Sequence, residues 1–216
     1  MKRVFGGTEA VFDIAYLVTA FTIGIVLLLT GTSNTARTTA GVMALVLAGG
    51  DAFHLVPRIK VIITKREEPL RRALGQGKQI TSITMTIFYL LLWQTGLAAF
   101  GLQTTGFWGY AVYALAAARI LLCLLPQNKW LERHPPVRWG ILRNIPFFLQ
   151  GTLVAGLFFL NRFVVQGLWL MWLAVTLSFA FYLPVVLWSH KNPKIGMLML
   201  PKTGAYIWML SMCFAL

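Results

Sequence analysis

AVFDIAYLVTAFTIGIVLLLT, residues 10–30, carries a single charged side chain, Asp13. A helix of that length rises about 30 Å, the thickness of the hydrocarbon core of a bilayer. The preceding Lys2 and Arg3 give it the basic start of a secretory signal. The apolar run is too long for one, however, has Glu9 and Asp13 at its start, and ends without a small-x-small cleavage site. It reads as a retained first transmembrane helix.

Comparable runs lie near residues 39–62, 80–101, 106–125, 141–160, 167–188 and 197–216, so an all-α bundle of seven membrane-spanning helices in one domain, 1–216, is expected. Composition agrees: hydrophobic residues make up 58% of the chain and charged residues 12%, with a mean hydropathy of +0.72, outside the range of soluble domains. The net charge of +13 would point to nucleic acid in a soluble protein. Here the basic residues cluster in short loops, where they set topology and meet anionic headgroups. Membrane lipids are thus expected partners and nucleic acid is not. Between the second and third runs, KREEPLRRALGQGKQ (65–79) reads as a surface-lying segment. Cys123 and Cys213 both fall in apolar runs and read as packing residues.

Lysine and arginine fall unequally on the two sides. Lys2 and Arg3, Arg58 to Lys78, Lys129 to Arg143 and Lys191 to Lys202 share one face, against Arg37 and Arg162 on the other. By the positive-inside rule the N-terminus is cytoplasmic and the C-terminus outside. The compact chain and this strong inner bias point to a bacterial inner membrane. AFHLVP (52–57) and AFYLP (180–184) echo one another near the inner ends of the second and sixth runs. A match of five apolar-rich residues is within the reach of chance.

Of six acidic residues, Glu67, Glu68 and Glu132 lie in loops, while Glu9, Asp13 and Asp51 lie in or at the edge of spans. Charge within a bilayer is costly, so such groups face the bundle interior and mark a functional path. Asp51, His54 and Arg58 repeat at i, i+3 and i+7 and share one helical face, as do Glu9 and Asp13. Counting residues along each helix places these five in one layer with Arg119, Arg143, Asn144, Tyr182, Lys202, Tyr206, Ser82, Thr84 and Thr86, in the inner half of the membrane. Gly49 and Gly50 would let a neighbouring helix come close. Pro57 would kink its helix and free a carbonyl. Pro126, Pro146, Pro184 and Pro201 mark the same half, as expected of a water-accessible cavity open to the cytoplasm.

Blander readings stand beside these. Glu9, Arg58 and Arg143 can snorkel to the interface, an Asp51–Arg119 salt bridge would be a structural lock, and Trp130, Trp139 and Trp188 suit interfacial anchoring. His134 and His190 read as surface histidines. A retinal-binding role for Lys202 conflicts with the N-inside orientation, and Pro126-Gln127 matches the dipeptide of PQ-loop transporters only in isolation.

The cluster offers two chemistries. Glu9, Asp13, Asp51 and His54 are ligand types suited to zinc or iron. A metal-bound water, or Asp51, His54 and Asp13 acting as catalytic groups, would serve a hydrolase acting on a lipid or amphipathic substrate bound by Arg119, Lys202, Tyr206, Tyr182 and Arg58. This reading ranks first because the carboxylates and histidine reach one depth with Ser82 and Thr84. The alternative is a proton-coupled carrier or a receptor for a small solute, using the same residues. A third is a bundle whose buried charges only fix helix register. The N-inside architecture with an inner polar layer is similar to the membrane-hydrolase superfamily that includes the progestin and adipoQ receptors. That superfamily carries Ser-x-x-x-His in its second helix and His-x-x-x-His in its seventh. The corresponding places here read Asp51-Ala-Phe-His54 and Lys202-Thr-Gly-Ala-Tyr206, so the similarity covers architecture without the three-histidine zinc site.

Overall fold

The computed structural model describes residues 6–103, 106–132 and 135–216, which are helix and turn with no strand among them. Lys2, Arg3 and His134 lie outside the described residues. The α-helices are α1 (Gly6–Thr30), α2 (Thr35–Thr64), α3 (Arg71–Phe100), α4 (Phe107–Leu124), α5 (Val137–Leu160), α6 (Met171–Trp188) and α7 (Met199–Met212). Six are long and apolar enough to cross a membrane, α3 and α6 together with the 3-10 turn before each. The seventh, α7, has only 14 α-helical residues, although 3-10 turns at Pro193–Leu198 and Cys213–Ala215 extend it at both ends.

The outside of the bundle is apolar and the inside carries polar groups, the inverse of a soluble fold. Val11, Ile14, Val18, Phe21, Ile25 and Leu29 of α1 form an exposed stripe. Asp13 and Tyr16 are turned inward. A continuous apolar exterior of this kind is stable only against lipid, and the chain is an integral membrane protein with several apolar helices.

Consecutive helices pack side by side, α7 returns to α1, and α3 also touches α5. Asn34 caps α2, accepting from Arg37 N at 3.1 Å. Its Nδ2 donates to Leu216 O at 3.2 Å, and Arg37 Nη1 donates to Phe214 O at 3.2 Å. The C-terminal turn is thereby held beside the α1–α2 turn.

α2 and α3 approach each other closely. A Cβ on Gly50 would lie 2.0 Å from Thr84 Oγ1, and one on Gly77 would lie 2.2 Å from Phe53 O. Phe53 is four residues before Pro57, so its carbonyl is the one that Pro57 leaves without a helical donor. Gly77 allows α3 to press against it. Thr81 Oγ1 adds a bond to Gly50 O at 2.9 Å. Gly49, expected to share this role, meets nothing within 4 Å. It is on the outer face of the turn.

Residues 65–79 do not form a separate surface segment. Lys65 closes α2 in the left-handed conformation (φ 56°), and α3 then runs unbroken from Arg71. Its first turns pack rather than float, because Gly75 lies against Trp130 O and Gly77 against Phe53 O.

Candidate functional site: a charged layer inside the bundle

Helical spacing aims the polar side chains inward. On α1, Glu9, Asp13 and Tyr16 share one face. Facing them are Asp51 and Arg58 of α2, with Lys202 and Tyr206 of α7 acting near Asp51. Tyr16 Oη donates to Asp51 Oδ2 at 2.7 Å. Arg58 pairs with Glu9 through both Nε and Nη2. These two side chains therefore bind each other. Asp13, 6% exposed, lies within the electrostatic reach of Arg58, Glu9 and Asp51, and its Oδ2 has no hydrogen-bond partner. His54 faces the charges of Arg58, Lys78 and Lys202, and its Nδ1 likewise has no partner.

A second group joins α4, α5, α6 and α7. Arg119 of α4 is 2% exposed and stacks its guanidinium on Phe147, Cζ standing 3.2 Å from the ring centroid. Cys123, one turn on, is within its reach. Lys202 Nζ lies 4.1 Å from the centroid of Tyr182 and 5.2 Å from that of Tyr206. Tyr182 Oη donates to Asn144 Oδ1 at 3.2 Å, and Tyr89 shares a 2.9 Å hydrogen bond with Ser178. Lys202 connects the two groups, since Asp51 and Arg119 both act on it.

The arrangement bears on several of the sequence readings. Asp51 and Arg119 form no lock: none of the three ion pairs among the described residues includes Asp13, Asp51, Arg119 or Lys202. The phenol of Tyr16 occupies the place on Asp51 that the salt-bridge alternative gave to the arginine. Ser82, Thr84 and Thr86 do not join the acids, because their hydroxyls donate to Lys78 O, Thr81 O and Ser82 O of their own helix. Among the described residues no three His, Cys, Asp or Glu side chains are grouped so as to hold a metal ion; of the proposed ligands, Glu9 is engaged by Arg58 and Asp51 by Tyr16.

Arg143 and Trp130 meet beside the turn that follows α4. Arg143 Nη1 donates to Asn128 Oδ1 at 2.9 Å, and its guanidinium lies 4.2 Å from the Trp130 ring centroid. Trp130 Nε1 donates to Cys123 O at 3.0 Å. Asn128, fully buried, donates to Leu122 O at 2.6 Å and Leu125 O at 2.9 Å. Together they satisfy carbonyls at the end of α4 that the helix leaves without donors. Pro126 and Gln127 belong to the 3-10 turn of this cap. Cys123 and Cys213 are free and buried.

Tyr16, Phe147 and Asn128 were missed in the sequence. Tyr16 is three residues after Asp13 and so on its face, a signal that was available. Asn128 directly follows a helix end, which also marks a cap. Phe147 is one aromatic among many and carries no local mark. No protein-family model matches the chain, and neither does any curated protein or solved structure.

Proposed function

We propose that the protein is a proton-coupled carrier of a small solute in the cell membrane, crossing it seven times with the N-terminus in the cytoplasm. One observation supports this above the others: among the described residues, Asp13, Asp51, Arg119 and Lys202 share the interior without closing into ion pairs. Charges installed only to hold helices together would pair, because an uncompensated buried charge costs several kcal/mol. In the described arrangement Asp13 Oδ2, His54 Nδ1, and Nε and Nη1 of Arg119 all lack partners. Groups held open in this way suit a proton and a solute that come and go.

Asp51 is the natural proton carrier. Tyr16 faces it from α1, Lys202 acts on it from α7, and Asp13 stands beyond Tyr16. Pro57, Pro146 and Pro184 lie inside α2, α5 and α6, which gives each helix a weakened turn about which two access states could exchange. A hydrolase gains less support, since Ser82 and Thr84 spend their hydroxyls on their own helix and neither reaches His54.

The test is proteoliposome uptake from a panel of metabolites, with a pH-sensitive dye inside. Solute-dependent proton movement is expected in the wild type and is lost in Asp51→Asn. That variant keeps its fold, because the amide oxygen still accepts the Tyr16 bond. A wild type that moves no proton with any solute overturns the proposal. A reporter fused after Leu216 should be active only outside the cell, and activity inside would refute the orientation.

A further inference from the structure

Among the described residues, Arg119 is a buried cation with no carboxylate among the groups that act on it. Arg119 is 2% exposed, its Nε and Nη1 lack acceptors, and the groups that act on it are Tyr182, Cys123 and Tyr206. One face of its guanidinium is covered by Phe147 at 3.2 Å, so any further partner must approach the N–H edge. Lys202, 6% exposed, brings a second positive charge to the same region while resting on the rings of Tyr182 and Tyr206.

We infer that Arg119, with Lys202 beside it, binds an oxyanion, a carboxylate or phosphate group, inside the bundle. This rests on the carrier reading and names its substrate class. A guanidinium stacked on an aromatic ring is oriented before the ligand arrives, and its N–H edge supplies charge-assisted hydrogen bonds to oxygen. Both nearby cations repel a metal or an amine. Asp51 offers no internal substitute for the ligand, since it accepts from Tyr16 at 2.7 Å and forms no ion pair with Arg119. The same chemistry is presented by a free anionic solute and by an anionic phospholipid headgroup.

The full chain in phosphatidylcholine nanodiscs is titrated with inorganic phosphate and with benzoate while thermal unfolding is followed by tryptophan fluorescence. A second set of discs contains phosphatidylglycerol. Binding of one probe at roughly a hundredfold its Kd is expected to raise Tm by about 5–10 °C. A response to a free probe in phosphatidylcholine marks a soluble substrate. A rise caused by phosphatidylglycerol, with no response to free probes, marks a headgroup. Arg119→Lys weakens the response at least tenfold, since one point charge replaces several fixed donors. Arg119→Met removes it, and without anion this variant melts no lower than the wild type, because an unpaired buried charge has been replaced by an apolar chain.

The inference is overturned if neither probe nor phosphatidylglycerol moves the wild-type Tm, if the shift survives Arg119→Met, or if Arg119→Met melts well below the wild type without anion. Binding is read here without transport, so the two proposals can fail separately. An anion-dependent shift in a protein that moves no protons leaves the site and removes the carrier. Proton-linked uptake of a neutral or cationic solute, unchanged in Arg119→Met, does the reverse.

Discussion

Replacing Gly77 by alanine tests the seam that places His54 against the interior. The new Cβ would lie 2.2 Å from Phe53 O and 2.8 Å from His54 Cα. A carbon resting on a carbonyl oxygen needs about 3.3 Å, and both atoms are backbone, so α2 and α3 must part by roughly 1 Å. The Thr81–Gly50 bond, now 2.9 Å, would then stretch to about 3.9 Å and break. Overpacking costs about 1–3 kcal/mol and the lost bond about 1 kcal/mol, while the better helix propensity of alanine returns about 1 kcal/mol. The net expectation is a loss of about 1–3 kcal/mol. Gly49→Ala is the matched control: it meets nothing within 4 Å and should gain about 0.5–1 kcal/mol from propensity alone. Unfolding of both variants in one detergent, driven by heat or by added SDS, measures the difference. If Gly77→Ala is no less stable than Gly49→Ala, the close backbone approach is not a feature of the folded protein.

Tyr16→Phe strips Asp51 of its bond at 2.7 Å and is expected to cost about 1–3 kcal/mol, whereas Arg58→Gln, which breaks a pair whose arginine is 37% exposed, should cost less than about 1 kcal/mol; reversal of that order in thermal unfolding would contradict the placement. Asn128→Ala removes the donor to Leu122 O in α4 and to Leu125 O just past its end, and the acceptor for Arg143, so a loss of about 2 kcal/mol or more is expected, and an unchanged Tm would mean that the cap is dispensable. Cys123 and Cys213 are both free and buried: a maleimide should label neither until the protein is unfolded, and reductant should leave gel mobility unchanged. Rapid labelling of the folded protein would show that these positions are open.

Helix positions were legible because each apolar run had to be long enough to bury its own backbone. Residues 141–160 lie within Val137–Leu160, and residues 10–30 within Gly6–Thr30. The third run starts earlier than expected, at Arg71 rather than near residue 80, and the seventh departs as well. Its hydropathy continues to residue 216, but α-helical geometry covers Met199–Met212 only, with 3-10 turns on either side. The inward stripe of Asp51, His54 and Arg58 was equally legible, because i, i+3 and i+7 share a face whatever the helix packs against.

Partner choice was not legible, and here depth alone misled. Ser82 reaches the same level as the acids, yet a hydroxyl can always turn to the carbonyl of its own helix, and nothing in composition says that it will. A salt bridge from Arg119 to Asp51 was the alternative to an open cavity. Arg119 instead meets Phe147, because the rotation of α4 about its axis is set by contacts with α5 and α3.

From the sequence alone came the apolar helices, their approximate ends and the face on which each charge stands, because these follow from the bilayer's thickness and the helical repeat, which act within a single segment. Only the tertiary structure decided that Tyr16 holds Asp51, that Glu9 holds Arg58 and that Arg119 is left with an aromatic ring. Those pairings depend on the rotation and separation of neighbouring helices, which are fixed by contacts such as Gly50 with Thr84 and Gly77 with Phe53 that couple residues distant along the chain.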